Sequence, residues 1–337
     1  MLSIKSLNNL FLGVLVLMIG LFPGTLSGVA NASSLRPEGV PTNYPAKEIE
    51  YIYAFSPGSI NDVYIRMLGE KIQKMEGWKK GIIINYREGA SGRIGWSTLA
   101  KAKPDGYSIG FAPSAMLISA VSENQPYSYD NLEFIANMMT DPGAIGVAAD
   151  SEYKTLGDLV EAAKKNPGKI SIGVTSTIGQ EGLTMRLIEK QAGVKFNLIP
   201  FDGESAIFAG IIGKHIDGFC LNVGDTTNYV QEGQIKVLAT GDTKRSNFLP
   251  DVPTYKESGF DVVQVNMRSI AAPKGTPEPI RKYLENCFLA ASKDPEVQER
   301  ASELKIPVDP RTGAEVKEAF ATITATLQKL WKEEPWE

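Results

Sequence analysis

The chain has little of what most chemistry at neutral pH requires. Its 337 residues include one histidine, His215, and two cysteines, Cys220 and Cys287. Without a second histidine, a two-His relay and a His-based metal cluster are excluded. A Ser-His-Asp triad would have to recruit His215, and no G-x-S-x-G elbow accompanies it. His215 itself sits in GKHIDG, at a helix end, where a partial positive charge is welcome. No G-x-x-x-x-G-K-[ST] phosphate loop and no paired C-x-x-C occurs. Strong charge of one sign is also missing: the formal net charge is -4, and no basic run exceeds a few residues, so nucleic acid is not an expected partner. The expectation is a protein without a catalytic group, metal or cofactor.

Long apolar runs are missing too, except at the start. Lys5 precedes the run Leu10 to Phe22, and a small-residue stretch ends in Ala30-Asn31-Ala32. These are the charged region, apolar region and A-x-A site of a secretory signal peptide over residues 1–32. The run is about 13 residues against the roughly 20 of a bilayer span; an uncleaved anchor is the alternative. The mature chain is expected to start at Ser33 and to be exported. Export permits a disulfide, but Cys220 in GFCLNV and Cys287 in ENCFLAA read more naturally as small core residues.

What is present is alternation of strand and helix, the pattern of a mostly parallel, doubly wound α/β sheet. Strands are expected at 49–55, 82–86, 107–112, 169–174, 196–201, 216–222 and 235–240, with helices at 62–75, 95–102, 155–166, 180–191, 205–212, 227–231, 278–293, 295–304 and 312–331. Two segments share a design. Ile49 to Phe55 breaks at Ser56-Pro57-Gly58-Ser59-Ile60 before a helix at Asn61-Asp62; Lys169 to Val174 breaks at Thr175-Ser176-Thr177-Ile178-Gly179 before a helix near Gln180. Each loop aims free backbone N–H groups and a positive helix end at one point, which suits an anion. A pair of them suggests a clamp for a carboxylate. The glycine-rich turn Gly89 to Gly95 does not match the dinucleotide fingerprint. Extended segments near 137–147 and 262–272 are expected to cross between two domains, 33–141 with 268–337 and 142–267, leaving a cleft that can hinge.

Several stretches then line up in order. FSPGSINDVYIR at 55–66, KPDGYS at 103–108, NPGKI at 166–170, PFDG at 200–203, LPDVPT at 249–254 and AAPKGTP at 271–277 resemble successive landmarks of the Bug/TctC-type substrate-binding proteins of tripartite tricarboxylate transporters. The resemblance covers essentially the whole mature chain. It implies the type II periplasmic-binding-protein fold, two α/β domains joined by two crossover strands, and a periplasmic location. It also implies a mono- or dicarboxylate ligand held by backbone amides and ordered water, and a two-subunit membrane permease as partner. The receptor is expected to be a monomer.

Carried over residue by residue, the family's Pro-Gly-Gly-Gly-Thr-Asp loop falls on Pro57, Gly58, Ser59, Ile60, Asn61 and Asp62. Its Thr-Ser element falls on Pro113 and Ser114, its second-domain loop on Thr175 to Gln180, including Ser176 and Thr177, and its Asn on Asn222, followed by Gly224 and Asp225. Ser59 and Ile60 replace glycines and Gln180 stands where Ser is frequent, which leaves the choice of carboxylate open. Each residue has a second reading. Asp62 either caps its helix and pairs with Arg66 or touches ligand; Ser114 and Thr175 either satisfy loop backbone or bind. Arg93 reads as a solvated side chain. Arg268, in the returning crossover, is the best match for a carboxylate fork. The alternative to a transport receptor is a sensor of the same fold that signals to a histidine kinase.

Overall fold

The computed structural model describes residues 35–333 apart from 123, 124, 126, 129, 178 and 202. The expected signal peptide lies outside the described residues. Among those described, no helix is long and apolar enough to cross a membrane.

The strands at 49–53 and 108–113 are short and buried on all but one residue each, as strands covered on both faces must be, while the edge strand at 82–86 is half-buried or exposed throughout. β1 (Ile49–Tyr53) lies between β2 (Ile82–Tyr86) and β3 (Ser108–Pro113), parallel to both. α1 (Ile60–Glu76) starts behind Ser59 and stops at Gly77, whose φ of 63° supplies the left-handed turn that closes a helix. α2 (Arg93–Lys101) and α3 (Met116–Ser122) follow β2 and β3. The chain then enters β4 (Leu132–Ala148), a 17-residue strand whose residues from Phe134 to Val147 are all buried.

β4 runs through both halves of one ten-stranded sheet. Its first part pairs with β9 (Val265–Pro273) and β10 (Val308–Thr312); its second part pairs with β7 (Gly218–Asn222) and β8 (Ile235–Thr240). β5 (Ser171–Val174) and β6 (Asn197–Pro200) complete the second half, giving the order β2-β1-β3-β9-β4-β7-β5-β6. The partner change falls at Pro142 and Gly143. There the Gly143 N–H donates to Gln264 O at 2.7 Å and the Gly241 N–H donates to Gly143 O at 2.8 Å. A Cβ on Gly143 would lie 2.2 Å from the Gln264 side chain, so the two crossing segments approach only because glycine stands there. β9 pairs with β4 from Val265 onward and with β3 over 268–271.

Helices cover both faces of each half. α1, α8 (Glu278–Ser292) and α9 (Pro295–Glu303) pack on one face of the first half, around Tyr64, Leu68, Tyr283 and Phe288; α2, α3 and α10 (Gly313–Glu333) pack on the other, around Trp96, Met116 and Phe320. In the second half α4 (Leu156–Lys165) and α5 (Gln180–Ala192) meet around Leu159 and Met185, while α6 (Glu204–Ile212) and α7 (Val223–Gln231) enclose Phe208, Phe219 and Val223. Thr155 caps α4, as expected: its Oγ1 accepts the Asp158 N–H at 3.1 Å and Asp158 answers on the Thr155 N–H at 2.9 Å. Cys220 and Cys287 are buried, free and in different core clusters.

Three elements depart from expectation. β10, sequence VDPRT, has no strand expected over it; it is an outer strand paired with β4, where the N–H missing at Pro310 is tolerated. α3 is a single short run without a periodic signal. α7 begins at Val223, not Thr227, because Asn222 ends the strand and starts the helix without an intervening turn.

Candidate functional site

The loop after β1 is built around its own polar groups. Ser59 is extended, with φ −68° and ψ 160°, and its Oγ accepts the Asp62 N–H at 3.2 Å and shares a 2.6 Å hydrogen bond with Tyr53 Oη. The Asp62 carboxylate accepts from the Gly58 N–H and from Tyr86 Oη, each at 2.9 Å, and lies 3.3 Å from Arg66 Nε. Asp62 therefore both closes the loop and pairs with Arg66, and it has little capacity left for a ligand. Ser56 Oγ donates to Glu88 Oε2 at 2.6 Å. Pro57 and Gly58 are exposed, and Ile60 is half-buried. The amides of Ile60 and Asn61 have no acceptor within their own helix and sit at its positive end. Asn61 is buried, and its Nδ2 has no partner.

The second loop enters α5 behind Gly179, which offers no side-chain cap, so the amide of Gln180 is open in the same way, while the Glu181 carboxylate takes its own amide and the Thr175 side chain. Thr175, Ser176 and Thr177 are half-buried at this helix start, and Ile178 lies outside the described residues. Gln180 reaches across to β9, donating from Nε2 to Val265 O at 2.6 Å. Ser114, at the end of β3, is tied to the same strand. Its N–H donates to Met267 O at 2.9 Å, its Oγ accepts the Met267 N–H at 3.1 Å, and that Oγ donates to Val265 O at 3.2 Å. Both side chains hold strand β9 in place.

β9 carries the centre of the arrangement. Arg268 Nη2 lies 3.7 Å from Asp141 Oδ2, with 17% of the arginine side chain and 4% of the aspartate side chain exposed. Arg268 Nε is buried without an acceptor. Asp141 stands opposite Asn266 in the β4–β9 register, and Gly143 stands opposite Asn222 in the β4–β7 register. Residues two apart share a face of a strand, so Asp141, Asn266, Arg268 and Asn222 belong to one face. Gly224 N–H donates to Asp141 Oδ1 at 2.9 Å, and Asp225 Oδ2 accepts from the N–H and Nδ2 of Asn222, each at 3.1 Å. Thr140 and Pro142 line a cavity of about 330 Å³ that also reaches Arg245, Gln298 and Arg311.

The electrostatics of this face are acidic. Burial pushes the Asp141 carboxyl up to about 7; nearby Asp225 adds to the rise, while Arg268 and the Gly224 amide oppose it. Asp225 is raised by burial and by Glu204, against its hydrogen bonds to Asn222 and the charge of Arg268. Glu181 is raised by burial, and Asp225 and Glu204 contribute. The Tyr53 hydroxyl is raised by burial and lowered by its bond to Ser59 and by Arg268, which places the first loop within the field of that arginine.

The fold thus brings the first loop, Asn222, Asp225 and Arg268 to one region, and it commits Asp62, Ser56 and Ser114 to structural bonds. Sequence reasoning missed Asp141, Asn266, Tyr53 and Phe55. Phe55 is 39% exposed beside Ser56, with ring centroids about 6 Å from Tyr53, Trp96 and Phe111. A signal for Asp141 was present: it is an acid inside the apolar crossover MMTDPGAIGVAA.

A two-half sheet with crossing strands, a helix N-terminus in each half and a half-buried arginine on the returning strand is the frame of a solute receptor. Residues 65–319 match the family model described as the tripartite tricarboxylate transporter family receptor, and the chain belongs to that family. The "UPF0065 protein in gbd 5'region" of Cupriavidus necator is 30% identical over 262 residues, covering 76% of this chain and 78% of its own. A TctC solute binding protein from Polaromonas superposes with a TM-score of 0.77 at 25% identity, covering 86% of this chain and 99% of its own. MatC from Rhodopseudomonas palustris with bound malate superposes with a TM-score of 0.70 at 18% identity, over 85% of this chain and 99% of that one. The fold is therefore that of these periplasmic binding proteins.

Proposed function

We propose that this chain is an exported receptor that holds an organic carboxylate between the two halves of its sheet and delivers it to the membrane permease of a tripartite transporter. The halves act as lobes, divided at Pro142–Gly143 and Gln264–Val265. The reading rests above all on one observation: the starts of α1 and α5, in opposite halves, carry open amides, Gln180 of α5 reaches β9 at Val265 O, and that strand holds the unpartnered Arg268 Nε. A carboxylate accepts from several such donors at once. Malate bound in a neighbour of the same fold agrees with this chemistry.

The test is a thermal-shift and calorimetric screen of aliphatic and aromatic mono- and dicarboxylates against their amides. A ligand that binds only the folded state stabilises it by about 2.7 kcal/mol at a hundredfold excess over Kd. Acids are expected to shift the transition and amides to fail. Equal shifts from acid and amide would overturn the reading. Co-purification of the loaded receptor with its permease subunits, and not of the empty one, tests delivery.

A further inference from the structure

Away from the crossing strands, the second half also meets the first through α5 and α7. Leu183 of α5 joins the apolar cluster of the first half that contains Trp96, Met116 and Met267. α7 is met by a charged side chain instead. Lys305, between α9 and β10, donates from Nζ to Asn228 Oδ1 at 2.7 Å and to Gln231 Oε1 at 2.6 Å. Asn228 and Gln231 stand three apart on α7 and so share one face of that helix. α9 and β10 belong to the first half, so this contact runs between the halves.

The backbone at Lys305 is a second observation. Its N–H donates to Ser302 O at 3.0 Å and the Ile306 N–H donates to Ala301 O at 2.9 Å, the double closure that ends a helix on a left-handed residue. α1 and α5 give that place to Gly77 and Gly193; α9 gives it to lysine, at a φ of 53°. A side chain is strained there and glycine is not, so the turn gains nothing from lysine, and the grip on α7 is what glycine would forfeit. Ser302 and Ile306, close to Lys305 in the chain, line the cavity of about 330 Å³ together with Lys244 to Phe248 of the second half. Unfilled space on this side leaves the separation of the halves to the polar link rather than to close packing.

We propose that Lys305 is a positioning residue for the ligand site: it braces α7 against the first half and so sets how closely the halves stand before anything binds. α7 can transmit this because its two ends have different tasks. Its start holds the Gly224 N–H on Asp141 Oδ1 at 2.9 Å and the mutual capping of Asn222 and Asp225. Its later turns carry the two amides that Lys305 grips. Nine residues of helix make a stiff lever of roughly 13 Å. Loss of the brace lets the second half swing away on the crossing strands, and apparent affinity falls with the fraction of molecules whose halves stand ready. This rests on the carboxylate reading only in placing the ligand between the halves; the brace itself is read without any ligand.

The test is a pulsed spin-resonance distance measurement on the unliganded mature protein. Spin labels are placed at Lys79→Cys and Lys165→Cys, exposed positions in the first and second half; the native Cys220 and Cys287 are buried. Lys305→Gly keeps the left-handed turn and removes the ammonium. It is expected to raise the population of separated halves roughly tenfold, as the loss of two surface hydrogen bonds would give, with unfolding curves confirming the fold. Asn228→Ala combined with Gln231→Ala is expected to reproduce the longer distances, and adding Lys305→Gly to that pair to change them no further. Unchanged distances in Lys305→Gly, or a change that the two α7 substitutions do not reproduce, would overturn the inference and leave the carboxylate reading intact. Failure of every carboxylate to bind would overturn that reading and leave the brace, which these distances report directly.

Discussion

Ser114 Oγ and Gln180 Nε2 donate to the same oxygen, the carbonyl of Val265, at 3.2 and 2.6 Å. Ser114 belongs to the first half of the sheet and Gln180 to the second, so one peptide group on the returning crossover is held from both sides. Such a bond between halves is made or lost as they close or part. Gln180→Ala is expected to cost about 1 kcal/mol in urea unfolding and to enlarge the radius of gyration of the unliganded protein in solution scattering. Ser114→Ala, which removes two bonds to β9, is expected to cost more, about 1–3 kcal/mol, without that expansion.

Arg268 and Asp141 are expected to behave as a coupled pair. Arg268→Met leaves two buried carboxylates facing each other and should destabilise the fold by about 1–3 kcal/mol. The double variant with Asp141→Asn should recover much of that loss, with a coupling of about 0.5–3 kcal/mol in a double-mutant cycle. Carboxylate affinity in Arg268→Met should fall roughly 10- to 150-fold, and Arg268→Lys should recover part of it. Wild-type affinity in Arg268→Met would show that the backbone alone reads the carboxylate.

Asp141 should leave a signature in the pH dependence of the unliganded protein. Its carboxyl is raised in the fold from an ordinary 3.8 to about 7, so the folded state binds this proton more tightly than the unfolded chain. The stability linked to this proton is fully present below about 3.8 and is lost as pH rises through about 7. The difference in unfolding free energy between wild type and Asp141→Asn should therefore grow across that window and flatten above it. A constant difference from pH 4 to 8 would mean that Asp141 is ionised throughout.

Gly224 tests how closely α7 must approach β4. A Cβ there would lie 2.6 Å from Asp141 Oδ2. Gly224→Ala should cost about 1–3 kcal/mol through this contact, despite the better helix propensity of alanine. Gly157→Ala on α4 is the control: its nearest neighbour would be Thr155 Oγ1 at 3.5 Å, and it should be neutral or stabilising by up to about 1 kcal/mol.

Export is tested at the N-terminus. The charged start, apolar run and Ala30-Asn31-Ala32 predict cleavage before Ser33. Intact-mass analysis of periplasmic material should give the chain from Ser33. Recovery of the full-length chain in the membrane fraction would show an anchor instead.

The sequence by itself determined what local forces decide. Glycine at 77 and 193 ends α1 and α5 because only it takes the left-handed turn without strain. Thr155 starts α4 because its hydroxyl satisfies an otherwise open amide. Strand–helix alternation and the order of motifs carried the α/β class, and the small-residue loops before Asn61 and Gln180 marked where amides would be free. Tertiary structure decided what those groups do. Whether Ser114 meets a ligand or holds β9 depends on where Met267 and Val265 lie, about 150 residues away in the chain. Asp141 reads as one acid in an apolar crossover until the register sets it opposite Asn266 and beside Arg268. Its burial and its neighbours then come from β4, β9 and α7 at once, and charge interactions depend on distance in space, which spacing along a chain does not encode.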